Sequence, residues 1–205
     1  MYQIGLSPDQ KTADNKETKK VKKTPLALQY VKRVLRDAFL LMGVVVAVSW
    51  GQSFKFSGKY VDPAVFAEKY PALTDSGATL SLAPVQDMVL IYIFAPWCKV
   101  CHMNADVVSS QWISSRYEIK GLAMSYEGVS DVERFVRETG FRAEVLLANQ
   151  GLEAELTNNL GVKEFPTYLV ISRKGEVLTG WSGYTTTLGL WVRMVGIRFF
   201  SSHLL

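Results

Sequence analysis

The patterning of this chain predicts an α/β fold, a mixed central sheet with helices on both faces, behind one apolar N-terminal helix. Three observations carry the prediction. From residue 77 onward, short apolar runs alternate with segments of helical pattern. The last two runs, Thr167–Ile171 and Glu176–Trp181, flank Arg173-Lys174-Gly175 as the strands of a hairpin would. A charge-free stretch ahead of all of them stands apart in composition. Strand–helix alternation gives parallel neighbours and a closing hairpin gives antiparallel ones, so the sheet is expected to be mixed.

At 205 residues and 48% hydrophobic content, the chain has apolar material for one buried core but not two. Its net charge of +4 is uneven: residues 1–36 carry nine Lys/Arg against three Asp/Glu, and residues 37–205 carry fourteen against sixteen. The positive excess therefore belongs to the tail. Only Tyr2 and Tyr30 interleave that tail with aromatics, so no nucleic-acid partner is expected. Its first two dozen residues, rich in Lys, Thr, Asp, Asn and Gln, have too little apolar surface to fold.

Ala38–Trp50 is thirteen residues without a charge, and seventeen if continued to Phe54. That reaches the short end of the ~17–25 residues a spanning helix needs. Lys22, Lys23, Lys32, Arg33 and Arg36 precede it, so the positive-inside rule makes residues 1–36 a basic cytoplasmic tail and residues 37–54 a transmembrane anchor. Everything beyond is then outside. The alternatives are a buried core helix or a signal peptide cut at the small-x-small triplet Ala47-Val48-Ser49, although the segment before the apolar run is long for a signal peptide. Residues 55–76 read as a linker of mixed polar and aromatic character, and residues 77–205 as the folded domain.

Within that domain Gly77–Leu82 alternates as a short strand does, and Val89–Phe94 is apolar throughout, as expected of a strand buried on both faces. A helix is expected over Cys98–Ser114, then a strand over Ile119–Met124. Ser130–Arg137 reads as a helix with Ser130 as its cap and Glu133 completing a capping box. Ala143–Leu147 follows as a strand and Leu152–Leu160 as a helix closed by Gly161. After the hairpin, a last helix runs from about Thr186 to Phe200.

The chain's only two cysteines fall in Trp97-Cys98-Lys99-Val100-Cys101, where the buried strand hands over to a helix. That is the setting of a redox dithiol. A cysteine in a helix's first turn has its sulfur near unpaired N–H groups and the positive end of the macrodipole, which favours thiolate. Cys98 is thus the expected nucleophile. Cys101, one turn on, is placed to resolve a mixed disulfide at Cys98. Lys99 adds a positive charge beside it, and His102, a turn from Cys98, is a second candidate for tuning the thiolate. A structural disulfide closing so short a loop removes little chain entropy, and a zinc clip needs about four ligands where the chain offers two Cys and two His.

This dithiol, together with Phe165-Pro166-Thr167 ahead of a strand, resembles the thioredoxin-like pattern. The membrane anchor, the lead-in Leu73–Leu82, Phe94–Cys101 and Gly183–Leu190 resemble more narrowly the anchored thioredoxin-like proteins of the TlpA-like class, within it the D protein of the suppressor-of-copper-sensitivity group (ScsD). The similarity covers residues 34 to 198. It implies a cis Pro166 facing the dithiol, a Phe165 backbone that pairs with bound substrate, and a substrate surface of Trp97, Phe165, Pro166 and Thr167. It also implies a single-pass protein of the bacterial inner membrane, its catalytic domain in the periplasm, exchanging disulfides with protein substrates and reduced by a membrane thiol electron-transfer protein (DsbD/ScsB-like). No cofactor is implied. The chain departs from its relatives at three places: Asn104 and Asp106 stand where many carry Glu and Pro, and Tyr92 stands where thioredoxin has a buried Asp. Asp106 or Glu164, the latter beside the expected proline loop, could take over proton handling.

Two other chemistries share these residues. Cys98-x-x-Cys101-His102 satisfies the haem c attachment pattern, but the strand-rich surroundings argue against a cytochrome. Cys98, Cys101, His102 and Met103 form a soft donor set suited to Cu(I) once both thiols are reduced, although Met103 reads first as a core-facing helix residue. Lys99 and His102 favour a stabilised thiolate and so an oxidising potential, whereas the resemblance implies reduction by a membrane donor.

Overall fold

The computed structural model describes residues 26–53, 55–73 and 77–201, with the side chains of residues 26–29, 45–50, 52–53 and 200–201 excepted. The expected disordered tail lies outside the described residues. The chain divides into two units, residues 1–44 and 45–205. A single helix, α1 (Leu26–Ser53), holds the apolar run. Its described side chains from Tyr30 to Val44 are all exposed, Phe39 at 79% and Leu41 at 68%. Among the described residues no helix is long and apolar enough to cross a membrane, and the middle of the charge-free run falls among the side chains not described.

The second unit is built on a five-stranded sheet. In chain order its elements are α2 (Pro63–Ala67), β1 (Lys69–Pro71), β2 (Thr79–Ser81), β3 (Met88–Phe94), α3 (Lys99–Val108), α4 (Gln111–Ser114), β4 (Glu118–Ala123), α5 (Val129–Thr139), β5 (Glu144–Leu147), α6 (Gln150–Ala154), β6 (Thr167–Ser172), β7 (Val177–Ser182) and α7 (Thr187–Ser201). The sheet runs β5-β4-β3-β6-β7. β3 pairs parallel to β4 and antiparallel to β6, and β6 pairs antiparallel to β7, so the sheet is mixed as the patterning predicts.

Central β3 carries the dithiol at its end, and its period of two sorts side chains between two cores. Leu90, Tyr92 and Phe94 face the helix that bears the cysteines, while Val89, Ile91 and Ile93 pack into a second core with Phe56, Tyr70 and Leu156. Both faces are covered, which is why the strand is apolar at every position.

Several boundaries differ from expectation for local reasons. The helix expected over Cys98–Ser114 breaks into α3 and α4 at Ser109-Ser110, whose hydroxyls donate back to the carbonyls of Ala105 (2.9 Å) and Val107 (3.0 Å) and compete with helix continuation. α5 is capped two residues earlier than read: its cap is Gly128, whose N–H donates to the Asp131 carboxylate at 3.3 Å, so Ser130 and Glu133 do not form the box. Asn149 caps α6 by accepting the Leu152 N–H at 2.8 Å, and the helix widens into a π-helical turn over Glu155–Leu160 before Gly161 ends it at φ 80°. Residues 55–73 of the stretch read as a linker are structured: Asp62 caps α2, β1 pairs with β2 beyond the stretch as an antiparallel ribbon, and Phe56, Val61 and Tyr70 are buried.

Candidate active site

The turn from β3 into α3 places the two cysteines. Cys98 is the N-cap of α3, with extended backbone at φ −80° and ψ 109°, and its sulfur accepts the Cys101 N–H at 3.3 Å. One of the helix's orphan N–H groups is thereby spent on the sulfur. Both thiols are free. Cys98 is 7% exposed and Cys101 not at all, so an incoming disulfide meets Cys98 first.

Across from them the Phe165–Pro166 peptide is cis, matching what the resemblance implies. The Phe165 carbonyl accepts from the Cys98 thiol at 3.5 Å. Thr167 fastens the loop: its hydroxyl donates to the Glu164 carbonyl at 2.6 Å and lies 2.7 Å from that of Ser182. The Pro166 carbonyl accepts the Gly183 N–H at 2.8 Å, tying the loop to the end of β7.

Trp97 is 69% exposed beside the nucleophile and is held at two points. Its indole N–H donates to the Ser125 carbonyl at 2.9 Å, and its ring meets Phe165 edge-on at 5.9 Å. Ser125 takes a positive φ of 53° and its N–H donates to Glu153 at 2.8 Å. Neither Ser125 nor Glu153 announces itself in sequence, because both act through a loop that only the sheet topology brings to the tryptophan.

His102 is engaged by partners other than the sulfurs. Its Nε2 donates to the Pro96 carbonyl at 2.8 Å, its Nδ1 lies 3.9 Å from Glu138, and its ring abuts Phe135 at 4.7 Å. The histidine thus braces the loop that delivers the motif. With Trp97, Tyr126 and Phe135 it walls a groove of about 360 Å³ beside the dithiol, which Glu127 and Glu138 also line. Lys99 is exposed on the first turn of α3, with no hydrogen bond or ion pair to the sulfur among the described residues. Met103, read as core-facing, is instead 61% exposed. Among the described residues no cluster of three or more His, Cys, Asp or Glu is placed to hold a metal.

Neither Asp106 nor Glu164 serves Cys101. Both are exposed, and neither is among the groups that act on it. Asn104 is fully buried and donates to the Thr185 carbonyl at 2.7 Å. Tyr92 is fully buried, and its hydroxyl donates to the Cys101 carbonyl at 2.8 Å. Burial pushes the Cys101 thiol well above the ordinary thiol range, the adjoining Cys98 sulfur adds to this, and the neighbouring Ala95 amide and Tyr92 hydroxyl oppose it.

A stability consequence follows for the reduced protein. A thiol whose folded pKa is raised contributes fully below the free value of ~8.5, and the contribution is lost as pH climbs above it, at ~1.4 kcal/mol per pH unit, because the unfolded chain then binds fewer protons. The denaturation midpoint of the reduced chain is expected to fall between about pH 8.5 and 10, and Cys101→Ser to flatten that fall. Equal slopes in the two proteins would assign the effect elsewhere.

No protein-family model matches the chain, and no curated protein does. Solved structures do. A DsbF from Mycobacterium tuberculosis, described in mixed oxidized and reduced forms, superposes at TM-score 0.52 with 21% identity, covering 66% of this chain and 98% of its own. A putative thiol:disulfide interchange protein DsbE from Chlorobium tepidum gives 0.53 at 17% identity, over 69% of this chain and 96% of that one. A DsbF homologue from Corynebacterium diphtheriae gives 0.53 at 16%, over 67% and 90%. What the chain shares with all three is the thioredoxin-like fold.

Proposed function

We propose that this chain is a membrane-tethered, periplasm-facing protein thiol–disulfide oxidoreductase. It exchanges disulfides with protein substrates through Cys98 and Cys101, is reduced by a membrane thiol electron-transfer protein of the DsbD/ScsB-like kind, and falls with the D proteins of the suppressor-of-copper-sensitivity group. The exchange reading rests on one observation above all: Cys98 is a free thiol at a helix N-cap, with a buried partner one turn away and the Phe165 carbonyl opposite. Attack by Cys98 forms a mixed disulfide, and Cys101 then displaces the substrate thiolate. An extended substrate segment would lie along the Phe165–Thr167 loop, with Trp97 covering the residues beside its cysteine. The DsbE and DsbF names of the fold's neighbours agree with this chemistry.

The tether reading is supported by the charge-free run within α1, its exposed apolar residues and the basic residues ahead of it. Tethering raises the dithiol's effective concentration near a membrane donor, which suits a weak transient contact. The test uses the full chain in spheroplasts. External protease is expected to digest residues beyond about 55 and spare the tail, and the reduced chain is expected to reduce a test disulfide. Recovery of a soluble form beginning at Trp50 would remove the anchor and leave the exchange activity standing. Absence of exchange would remove the activity itself.

A further inference from the structure

Cys101 must become a thiolate to attack, and it is completely buried. An anion forming there needs hydrogen-bond donors or a cation, because water does not reach it. The groups that act on this sulfur are Cys98, the Ala95 backbone and the Tyr92 hydroxyl, and none is a cation. Two of them are donors.

Tyr92 is held where a donor is useful. Its ring lies 5.6 Å from Phe94, 5.6 Å from Phe141 and 5.4 Å from Tyr168, its cross-strand partner on β6. Packed on three sides, the ring cannot swing out, but the phenolic O–H still rotates. In the dithiol its proton is on the Cys101 carbonyl, 2.8 Å away. The titratable or charged groups facing this pair are Cys98 from α3 and Tyr168 from β6, with Arg193 of α7 and Tyr184 beyond Tyr168. Arg193 lies 4.9 Å over Trp181, which stacks on Tyr168, so two rings stand between its charge and Tyr92.

We propose that Tyr92 receives the Cys101 thiolate during the resolving step, its hydroxyl turning from the Cys101 carbonyl to the sulfur, with the Ala95 amide as second donor. The proposal rests on the exchange reading. In the step, the Cys101 thiolate attacks Cys98 Sγ, the Cys98–Cys101 bond forms, and the bond from Cys98 to the substrate sulfur breaks. The substrate thiolate leaves with the electron pair. The proton given up by Cys101 ends on a substrate thiolate, so the dithiol is oxidised by two electrons and the substrate disulfide is reduced by two. Tyr92 stabilises charge and transfers no proton, as preorganised donors do at other developing anions.

The experiment mixes the reduced full chain with one equivalent of a nitrobenzoate disulfide reporter and follows the yellow thiolate. A first phase reports attack by Cys98, and a second reports release by Cys101. Tyr92→Phe keeps the ring and removes the donor. It is expected to leave the first phase unchanged, slow the second about tenfold or more, and raise the pH of its half-maximal rate by about one unit. Tyrosine fluorinated on the ring, placed at position 92 alone, is a stronger donor of nearly the same shape and is expected to move the second phase the opposite way. A second phase with the same rate and pH profile in these variants as in the unmodified chain would overturn the proposal, and so would equal slowing of both phases without a pH shift, which marks a purely structural role. An unmodified chain that never releases the second thiolate overturns the exchange reading, and this proposal with it.

Discussion

Replacing Cys98 by Ser is expected to lower disulfide exchange by about three orders of magnitude, to the level of the reagents alone, because a hydroxyl at this position has no accessible anion to attack with. Cys101→Ser is expected to behave differently. Its attacking sulfur is intact and only the displacement is lost, so it should accumulate substrates covalently at Cys98. The asymmetry follows from the geometry. Cys98 caps the helix and is the sulfur that reaches the surface, whereas Cys101 is fully enclosed between Tyr92, Ala95 and the helix itself. Capture of adducts from cells expressing each variant, followed by reducing and non-reducing electrophoresis, makes the comparison. Adducts on Cys98→Ser with none on Cys101→Ser would reverse the two roles.

What the residues disclosed in advance were features whose physics is local or repetitive. β3 was readable because a strand covered on both faces is apolar at every position, and the hairpin because Gly175 supplies the positive φ, 78°, that its turn requires. The dithiol was readable because two cysteines at that spacing have few other uses.

Features that depend on distant partners were not readable. His102 looked like a thiolate neighbour until the fold set the Pro96 carbonyl 2.8 Å from its Nε2. Phe56 and Tyr70 sit in a stretch with no clear periodicity, and they are buried by strands that arrive later in the chain. That stretch does hold one local signal: Asp62-Pro63 is a helix start, with Asp62 accepting the Ala64 N–H at 2.8 Å. The break at Ser109-Ser110 was a second, since two hydroxyl residues in succession compete with the helix they would continue.

Lys120 is the case where sequence misleads most, and it carries the largest expected effect on stability. It lies in β4, an interior strand buried at nearly every position, and is itself only 4% exposed although charged. Its ammonium donates to the carbonyls of Ser81 at 3.0 Å and Ala83 at 2.8 Å and meets Glu118 at 3.2 Å. Glu118, two residues earlier on the same face, also accepts the N–H groups of Val85 and Gln86 at 2.8 and 2.9 Å, so the pair fixes the loop that feeds β3. Removing one partner leaves a buried charge uncompensated, whereas removing both charges does not. Glu118→Ala is therefore expected to cost ~3–5 kcal/mol, a large share of the ~5–15 kcal/mol that holds a domain of this kind together. Adding Lys120→Met to it is expected to recover most of that loss, because the methionine fills the lysine's volume without its charge and the exposed loop N–H groups turn to water. Denaturant midpoints of the two single variants and the double variant, taken as a cycle at neutral pH, measure the coupling. If the double variant is no more stable than Glu118→Ala, the buried ammonium is not the origin of the cost, and the loop bonds to Glu118 are.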